Sequence, residues 1–168
     1  MMKDKLIWQA SIVFFGLLFV YALFLDFTLR IKGSIENNFQ SLVASLGIFY
    51  TLVEYRKKYG YLKIIDGIKA GFRVVFIGGF FFSIFSSIYL NFFLPEEKDR
   101  LINLQIQFLK SRNFTDDEIN TISLIINKLF DPIPYVFINW VSIILSTSFS
   151  IIVLSIILHT PQKYDSNT

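Results

Sequence analysis

A cluster of cations between Glu54 and Arg73 contains the residue types that bind phosphate groups. The stretch EYRKKYGYLKIIDGIKAGFR holds six of the chain's 16 Lys and Arg residues. They are Arg56, Lys57, Lys58, Lys63, Lys69 and Arg73. Cations of this kind bind nucleic acid or the phosphates of lipid headgroups. Because a short loop between two apolar runs offers little surface to a nucleic acid, we expect anionic headgroups as partners and no nucleic acid.

The other polar residues form no catalytic or metal-binding pattern in the sequence. The single histidine, His159, ends the last apolar run beside Pro161, where we expect an interfacial residue and not a ligand. The chain has no cysteine, which excludes disulfides and thiolate metal sites. No metalloprotease, phosphate-loop or nucleophile-elbow motif occurs. We therefore expect no catalytic residues, no metal, no bound cofactor and no enzymatic activity.

Four long uncharged runs flank these polar segments, at residues 6–25, 37–53, 74–95 and 132–159. A helix needs roughly 20 apolar residues to cross the hydrocarbon core of a bilayer. The runs predict an all-α polytopic membrane protein with four transmembrane helices, at about 6–25, 38–54, 72–94 and 133–158. The first run is longer than a typical signal peptide core and is read as a retained span. The whole chain, 1–168, is then one integral membrane domain.

The distribution of Lys and Arg predicts how the chain is threaded. The loop at 55–73 has six positive residues and one negative residue, whereas the segment at 96–131 has five positive and seven negative residues. Because short cytoplasmic loops are enriched in Lys and Arg, the basic loop is expected inside. This predicts N-in/C-in topology. Helical periodicity further predicts that the helix containing the third span begins near Tyr61, within the basic segment, and extends beyond the bilayer before the span at 72–94.

The segment between the third and fourth spans predicts an extracytoplasmic amphipathic helical hairpin over 96–130. Apolar residues recur there at helical spacing on both sides of a turn near Asn113. Thr115 and Glu118 have the spacing of a capping box at the start of the second helix. Asp131 and Pro132 are then expected to end that helix.

Small and polar residues in the last two spans are candidates for helix packing, because lipid-embedded helices associate through small side chains and interhelical hydrogen bonds. In the third helix they are Gly67, Gly71, Gly78, Gly79, Ser83 and Ser86. In the fourth span they are Asn139, Ser142, Ser146 and Ser150. We expect this second set to form the face that meets the third helix, although each serine also suits a bond to its own helix.

Two segments resemble a bacterial membrane family called domain of unknown function 4199. The first is YLKIIDGIKAGF, from Tyr61 to Phe72, and the second is IYLNFFLP, from Ile88 to Pro95. The resemblance implies a four-span protein of the bacterial inner membrane. It implies no activity, so it assigns no role to any residue.

Three functions are compatible with this pattern. The first is a non-enzymatic accessory or structural subunit of an envelope complex, with a membrane protein or a second copy as partner. The second is an oligomeric pore or small-solute permease lined by the face from Ser142 to Ser150. The third is a membrane protein that responds to anionic lipid through Lys63, Lys69 and Arg73.

Overall fold

The computed structural model describes residues 2–24, 34–112 and 114–160, which are almost entirely helical. The described residues form six α-helices: α1 (Met2–Phe24), α2 (Ser34–Tyr59), α3 (Ile64–Ile88), α4 (Pro95–Ser111), α5 (Asp116–Leu129) and α6 (Pro132–Ile157). A π-helical turn, Tyr89–Phe93, extends α3. In this part of the chain there is no strand, and one isolated antiparallel pair joins Leu62 to Thr160. The all-α prediction is confirmed.

Three segments of the described chain are long and apolar enough to cross a membrane: Lys5–Phe24, Ile64–Phe93 and Pro132–Ile157. They cover all but the last residue of three of the four predicted spans and indicate a membrane protein. The remaining predicted span, 38–54, lies in α2, which does not reach the same apolar content because polar residues such as Gln40 and Ser41 lie in its first half. A fourth span therefore stays a prediction.

The contacts of the chain group into two compact units. The first unit comprises Met1–Phe82 and Ser142–Thr168, and the second comprises Ser83–Val141. Within the first unit, α1 packs along α2. Within the second unit, α4 packs against α5 and against the π-helical turn. Each unit has its own set of buried side chains and is described separately.

Hydroxyl groups lie in the interior of the first unit and bond to their own helices. Ser11, Thr51 and Thr147 are each at most 2% exposed. Their bonds run from Ser11 Oγ to the Ile7 carbonyl at 2.8 Å, from Thr51 Oγ1 to the Gly47 carbonyl at 2.8 Å, and from Thr147 Oγ1 to the Ile143 carbonyl at 2.6 Å. Bonding to the carbonyl one turn earlier satisfies each hydroxyl without help from water.

The outer surface of the same helices is made of large apolar side chains. Ile12 on α1 is 65% exposed, and Phe149 on α6 is 76% exposed. In water, a continuous surface of this kind favours association or aggregation. In a bilayer it faces hydrocarbon, while the backbone polar groups stay paired inside the helices. The distribution of side chains thus agrees with the membrane assignment made from helix length and composition.

In the second unit, a network of polar contacts joins the end of α3 to the start of α6. Asn91, in the π-helical turn, donates from Nδ2 to the Ser87 carbonyl at 3.1 Å. Its Oδ1 accepts a bond from Lys98 Nζ at 2.9 Å, and the same Nζ lies 3.8 Å from Asp131 Oδ1. Ser87 Oγ donates to the Pro132 carbonyl at 2.8 Å. We call these residues the Lys98 network; it connects α3, α4 and α6 where they meet.

The predicted capping box is present at the start of α5. The Thr115 N–H donates to Glu118 Oε2 at 2.9 Å, and Thr115 Oγ1 accepts from the Glu118 N–H at 3.4 Å. The backbone bond from Thr115, supported by a bond from its hydroxyl, holds the pKa of the Glu118 carboxyl below its usual value. These reciprocal bonds fix where α5 begins, since they satisfy two amide groups that no helical carbonyl reaches.

Gly78 lies where α3 passes close to α1. A Cβ atom at position 78 would lie 2.8 Å from the Ser11 carbonyl oxygen and 2.9 Å from Phe14 Cδ1. The backbone carbonyl cannot move away, so Gly78→Ala should destabilise the protein by about 1–3 kcal/mol. The measurement is the melting temperature of the detergent-solubilised chain, which should fall.

Gly16→Ala is the matched control, because a Cβ at position 16 would meet nothing within 4 Å. It adds the same methyl group to a helix of the same unit and should leave the melting temperature unchanged or raised. Equal melting temperatures for the two variants would contradict the close approach at Gly78.

Candidate functional site at the basic junction between α2 and α3

The first half of the basic cluster forms the carboxyl end of α2. Arg56, Lys57 and Lys58 occupy the last turn of the helix, where cations interact favourably with the helix dipole. Gly60 follows with a φ of 73°, a left-handed conformation that glycine adopts without strain. Its N–H donates to the Arg56 carbonyl at 2.9 Å and ends the helix.

The second half of the cluster begins with a backbone pairing and not with a helix. The Leu62 N–H donates to the Thr160 carbonyl at 3.3 Å, and the Thr160 N–H donates to the Leu62 carbonyl at 2.9 Å. His159 Nδ1 also lies 2.9 Å from the Leu62 carbonyl oxygen. We call Leu62, His159 and Thr160 the clasp. Because the clasp holds Leu62 extended, α3 begins at Ile64, and the predicted helix start near Tyr61 is wrong.

Two predicted packing residues, Gly67 and Gly71, lie directly beyond the clasp and face α6. A Cβ at position 67 would lie 2.8 Å from Ser155 Oγ, and a Cβ at position 71 would lie 2.8 Å from Ile151 Cγ2. The two helices therefore approach closely over the first turns of α3. Leu62 is fully buried beside Gly67, so the clasp also contributes an apolar side chain to this contact.

Lys57 of the junction forms an ion pair with an acidic side chain, whereas three other cations do not. Lys57 donates to Glu54 Oε1 at 2.8 Å, and this bond raises the pKa of the Lys57 ammonium. Lys63, Lys69 and Arg73 are exposed and form no ion pair with any residue that the structure describes. Three unneutralised cations, one just before α3 and two in its first ten residues, can bind anionic groups, which makes this junction the candidate site.

The described part of the chain has no group of side chains suited to hold a metal ion. Within residues 2–24, 34–112 and 114–160, no three His, Asp or Glu side chains are grouped to hold a metal ion. The chemistry that the described junction offers is the binding of anions by exposed cations.

The remaining packing residues predicted in α3 divide between the two units. Gly78 and Gly79 are buried in the first unit, and Ser83 is buried in the second. The Ser86 hydroxyl bonds to the Tyr135 side chain. From α6, Asn139 also belongs to the second unit, where its Nδ2 is buried and has no partner among the described residues.

The face of α6 that packs inward is not the predicted serine face. Ser142 and Ser146 are exposed, and Ser146 Oγ bonds back to its own helix. Ser150 Oγ accepts from Ser45 Oγ of α2 at 2.8 Å. The buried residues of α6 are Ile143, Thr147, Ile151 and Ser155. The buried residues Ile143, Thr147 and Ile151 each follow a predicted serine by one position, which corresponds to about 100° of rotation about the helix axis. Because an exposed serine can satisfy its hydroxyl within its own helix, polarity alone does not identify the inward face.

Comparison with known protein families shows the family to which the chain belongs. A family model described as "Protein of unknown function (DUF4199)" matches residues 9–160. The chain belongs to this family. The match extends over α1 to α6 and includes all three residues of the clasp, and it confirms the resemblance seen in the sequence. No curated protein and no solved structure matches the chain. The DUF4199 description names no activity, so function must be argued from this chain's own residues.

His159 provides a direct test of the clasp. His159→Leu removes one donor from the Leu62 carbonyl and leaves the two backbone bonds in place. A hydrogen bond contributes about 1 kcal/mol, so amide hydrogen exchange at Leu62 and Thr160 should become roughly fivefold faster. Hydrogen–deuterium exchange of the reconstituted chain, followed by mass spectrometry of peptides from both segments, measures this change.

The control is Lys63→Leu, which alters an exposed neighbour that makes no clasp bond. It should leave exchange of the Thr160 amide as it is in the unmodified chain. If His159→Leu also left the Thr160 amide unchanged, the side chain of His159 would have no part in the clasp.

Proposed function

We propose that this DUF4199 protein is a four-span protein of the bacterial inner membrane with both termini in the cytoplasm. The support for a fourth span is the surface of α2. This helix has 26 residues and is therefore about 39 Å long, enough to cross the hydrocarbon core. One side packs along α1, while the exposed residues Leu42, Leu46 and Phe49 are large and apolar. A helix facing water on that side would carry polar residues there.

The basic junction supports the proposed orientation. Lys63, Lys69 and Arg73 are exposed and without an acidic partner in the described chain. Cations near the ends of spans are retained on the cytoplasmic side, where anionic headgroups attract each by about 1 kcal/mol. We therefore assign the junction to the cytoplasmic surface, in contact with anionic lipid.

We further propose that the protein is a non-enzymatic accessory or structural subunit of an envelope complex. The observation that carries this proposal is the Lys98 network, which ties the start of α4 to the end of α3 and to the start of α6. A segment held in this way is preorganised for binding, because it loses little conformational freedom when a partner docks. In the proposed topology, α4 and α5 form a helical hairpin outside the cytoplasm.

The polar side of α4 is the surface that we assign to the partner. A shallow depression runs along it, lined by Glu96, Asp99, Arg100, Asn103 and Gln107, with Leu104 at the edge where the apolar side of α4 begins. Its mixture of charges and amides is typical of the polar rim of a protein interface.

The pore alternative has weaker support than the subunit proposal. Of the three serines expected to line a pore, Ser150 accepts a hydrogen bond from Ser45 within the same chain. Only Ser142 and Ser146 remain on the exposed surface, and they are separated by Ile143, Ile144 and Leu145. A polar lining for an oligomeric pore would need more than these two hydroxyls per chain.

Site-specific photocrosslinking tests the subunit proposal. A benzophenone amino acid at Gln107 places the reactive group on the polar side of α4, and the chain is expressed in its native membrane. We expect one discrete adduct of higher mass, reproducible between preparations, because a specific partner covers that surface.

The control position is Leu145, which is 69% exposed on α6 and is expected to face lipid. The adduct seen from Gln107 should be absent there. Crosslinking from Gln107 that gave only monomer in the native membrane would overturn the assignment of this surface to a partner.

A further inference from the structure

The two helices α4 and α5 expose apolar side chains that no described residue covers. On α4 these are Leu104 and Phe108, which are 44% and 54% exposed. On α5 they are Ile125 and Leu129, which are 53% and 42% exposed. Each pair is four residues apart, so each forms a stripe along one side of its helix.

The two stripes lie on the same side of the helix pair. In α4, Phe108 follows the buried residue Ile102 by six positions, and in α5, Ile125 follows the buried residue Ile119 by six positions. Because both spacings are six residues, Phe108 and Ile125 are rotated by the same angle from the buried residue of their own helix. The helices contact each other across a connection of four residues, the length that joins antiparallel neighbours. In an antiparallel pair, equal rotations place both stripes on one face.

The opposite side of the pair is polar. Asn103 and Gln107 on α4, and Asn120 and Asn127 on α5, are exposed there. Leu124 is the apolar exception on this side. At the edge of the apolar face, the Arg112 guanidinium lies 5.1 Å from the centre of the Phe108 ring. A cation above an apolar side chain is the arrangement in which Arg reaches a headgroup while its neighbours contact acyl chains.

Short connections keep this apolar face next to the candidate spans. Only Leu94 separates the π-helical turn of α3 from α4, and only Phe130 and Asp131 separate α5 from α6. Ile133 and Phe137, in the first turns of α6, are also apolar and exposed. These short connections keep the start of α4 and the end of α5 close to the ends of the two candidate spans.

We propose that α4 and α5 lie in the membrane interface as an amphipathic helix pair, with Leu104, Phe108, Ile125 and Leu129 among the upper acyl chains. This inference rests on α3 and α6 crossing the membrane, as proposed above. The segment 96–131 has five positive and seven negative residues, so burial of apolar surface, and not attraction to anionic lipid, holds it there. The polar side then faces water and remains available to a protein partner.

Fluorescence quenching by brominated lipid tests this placement in the full chain. The chain is reconstituted into phosphatidylcholine vesicles after Trp8→Phe and Trp140→Phe remove both native tryptophans. Three further single variants are compared: Phe108→Trp on the apolar face, Gln107→Trp on the polar face, and Phe149→Trp on α6. Circular dichroism checks that each variant keeps its helix content.

We expect Phe108→Trp to lose fluorescence to bromines near the top of the acyl chains, because interfacial helices insert about 5–10 Å into the bilayer boundary. Gln107→Trp should lose little fluorescence to any brominated lipid. Phe149→Trp should be quenched most by bromines deep in the acyl chains, since α6 crosses the membrane.

The outcomes separate this inference from the proposed topology. If Phe149→Trp were quenched and Phe108→Trp were not, the helix pair would stand off the bilayer and the inference would be wrong, with the spans intact. If the emission of Phe108→Trp were unquenched but shifted to shorter wavelengths, the apolar face would be packed against protein. This result would also contradict the inference. If Phe149→Trp itself were unquenched by deep bromines, the spanning role of α6 would fail.

A second measurement uses the unmodified chain, so that it does not depend on the variants folding. Phosphatidylcholine with a photoreactive group on the upper acyl chain is incorporated into the vesicles and activated. Lipid adducts should appear on Leu104 or Phe108 and on Ile125 or Leu129, and should be absent from Gln107 and Asn120. Adducts on the polar side alone, or none on α4 and α5, would contradict the proposed placement.

Discussion

Because hydrocarbon offers no hydrogen-bond partner, polar groups inside this protein depend on partners within the chain. Among the described buried side chains, Asn139 Nδ2 and Ser155 Oγ are exceptions. An unsatisfied polar group in the bilayer costs several kcal/mol, so the backbone is helical throughout the apolar segments. The same constraint explains the buried hydroxyls. Thr51 and Thr147 point inward and bond to carbonyls of their own helices. The outer surface consists of apolar side chains, which contact lipid in a bilayer.

Polar contacts between segments are concentrated where helices begin or end. In the first unit, the clasp pairs Leu62 with Thr160 beyond the end of α6. In the second unit, Lys98 bonds to Asn91 and lies within ion-pair distance of Asp131. The clasp uses backbone groups just outside the helices, whereas the contacts of Lys98 are made by side chains. Within each unit, these contacts hold short connections in defined positions without placing a charge inside a span.

The features that the sequence predicted well depend on neighbours along the chain. Thr115 and Glu118 are three residues apart, so their capping box could be predicted from spacing alone. Long uncharged runs likewise predicted the helices of the three candidate spans. The clasp could not be predicted in this way, because Leu62 and Thr160 are brought together only when α3 packs on α6. The inward face of α6 was misassigned for a related reason: Thr147 and Ser155 recur as regularly as Ser142 and Ser146, and only packing distinguishes the two sets.

The proposed topology depends on α2 crossing the membrane, which gives four spans and places the basic junction on the same side as the N-terminus. Since the chain has no cysteine, single substitutions can be labelled without interference. Lys5→Cys, Lys58→Cys and Ser111→Cys are each exposed to a membrane-impermeant maleimide in intact cells and then in permeabilised cells. Four spans predict that Ser111→Cys is labelled in intact cells, and that Lys5→Cys and Lys58→Cys are labelled only after permeabilisation. Labelling of Lys5→Cys and Lys58→Cys from opposite sides would show that α2 does not cross, and would contradict the account.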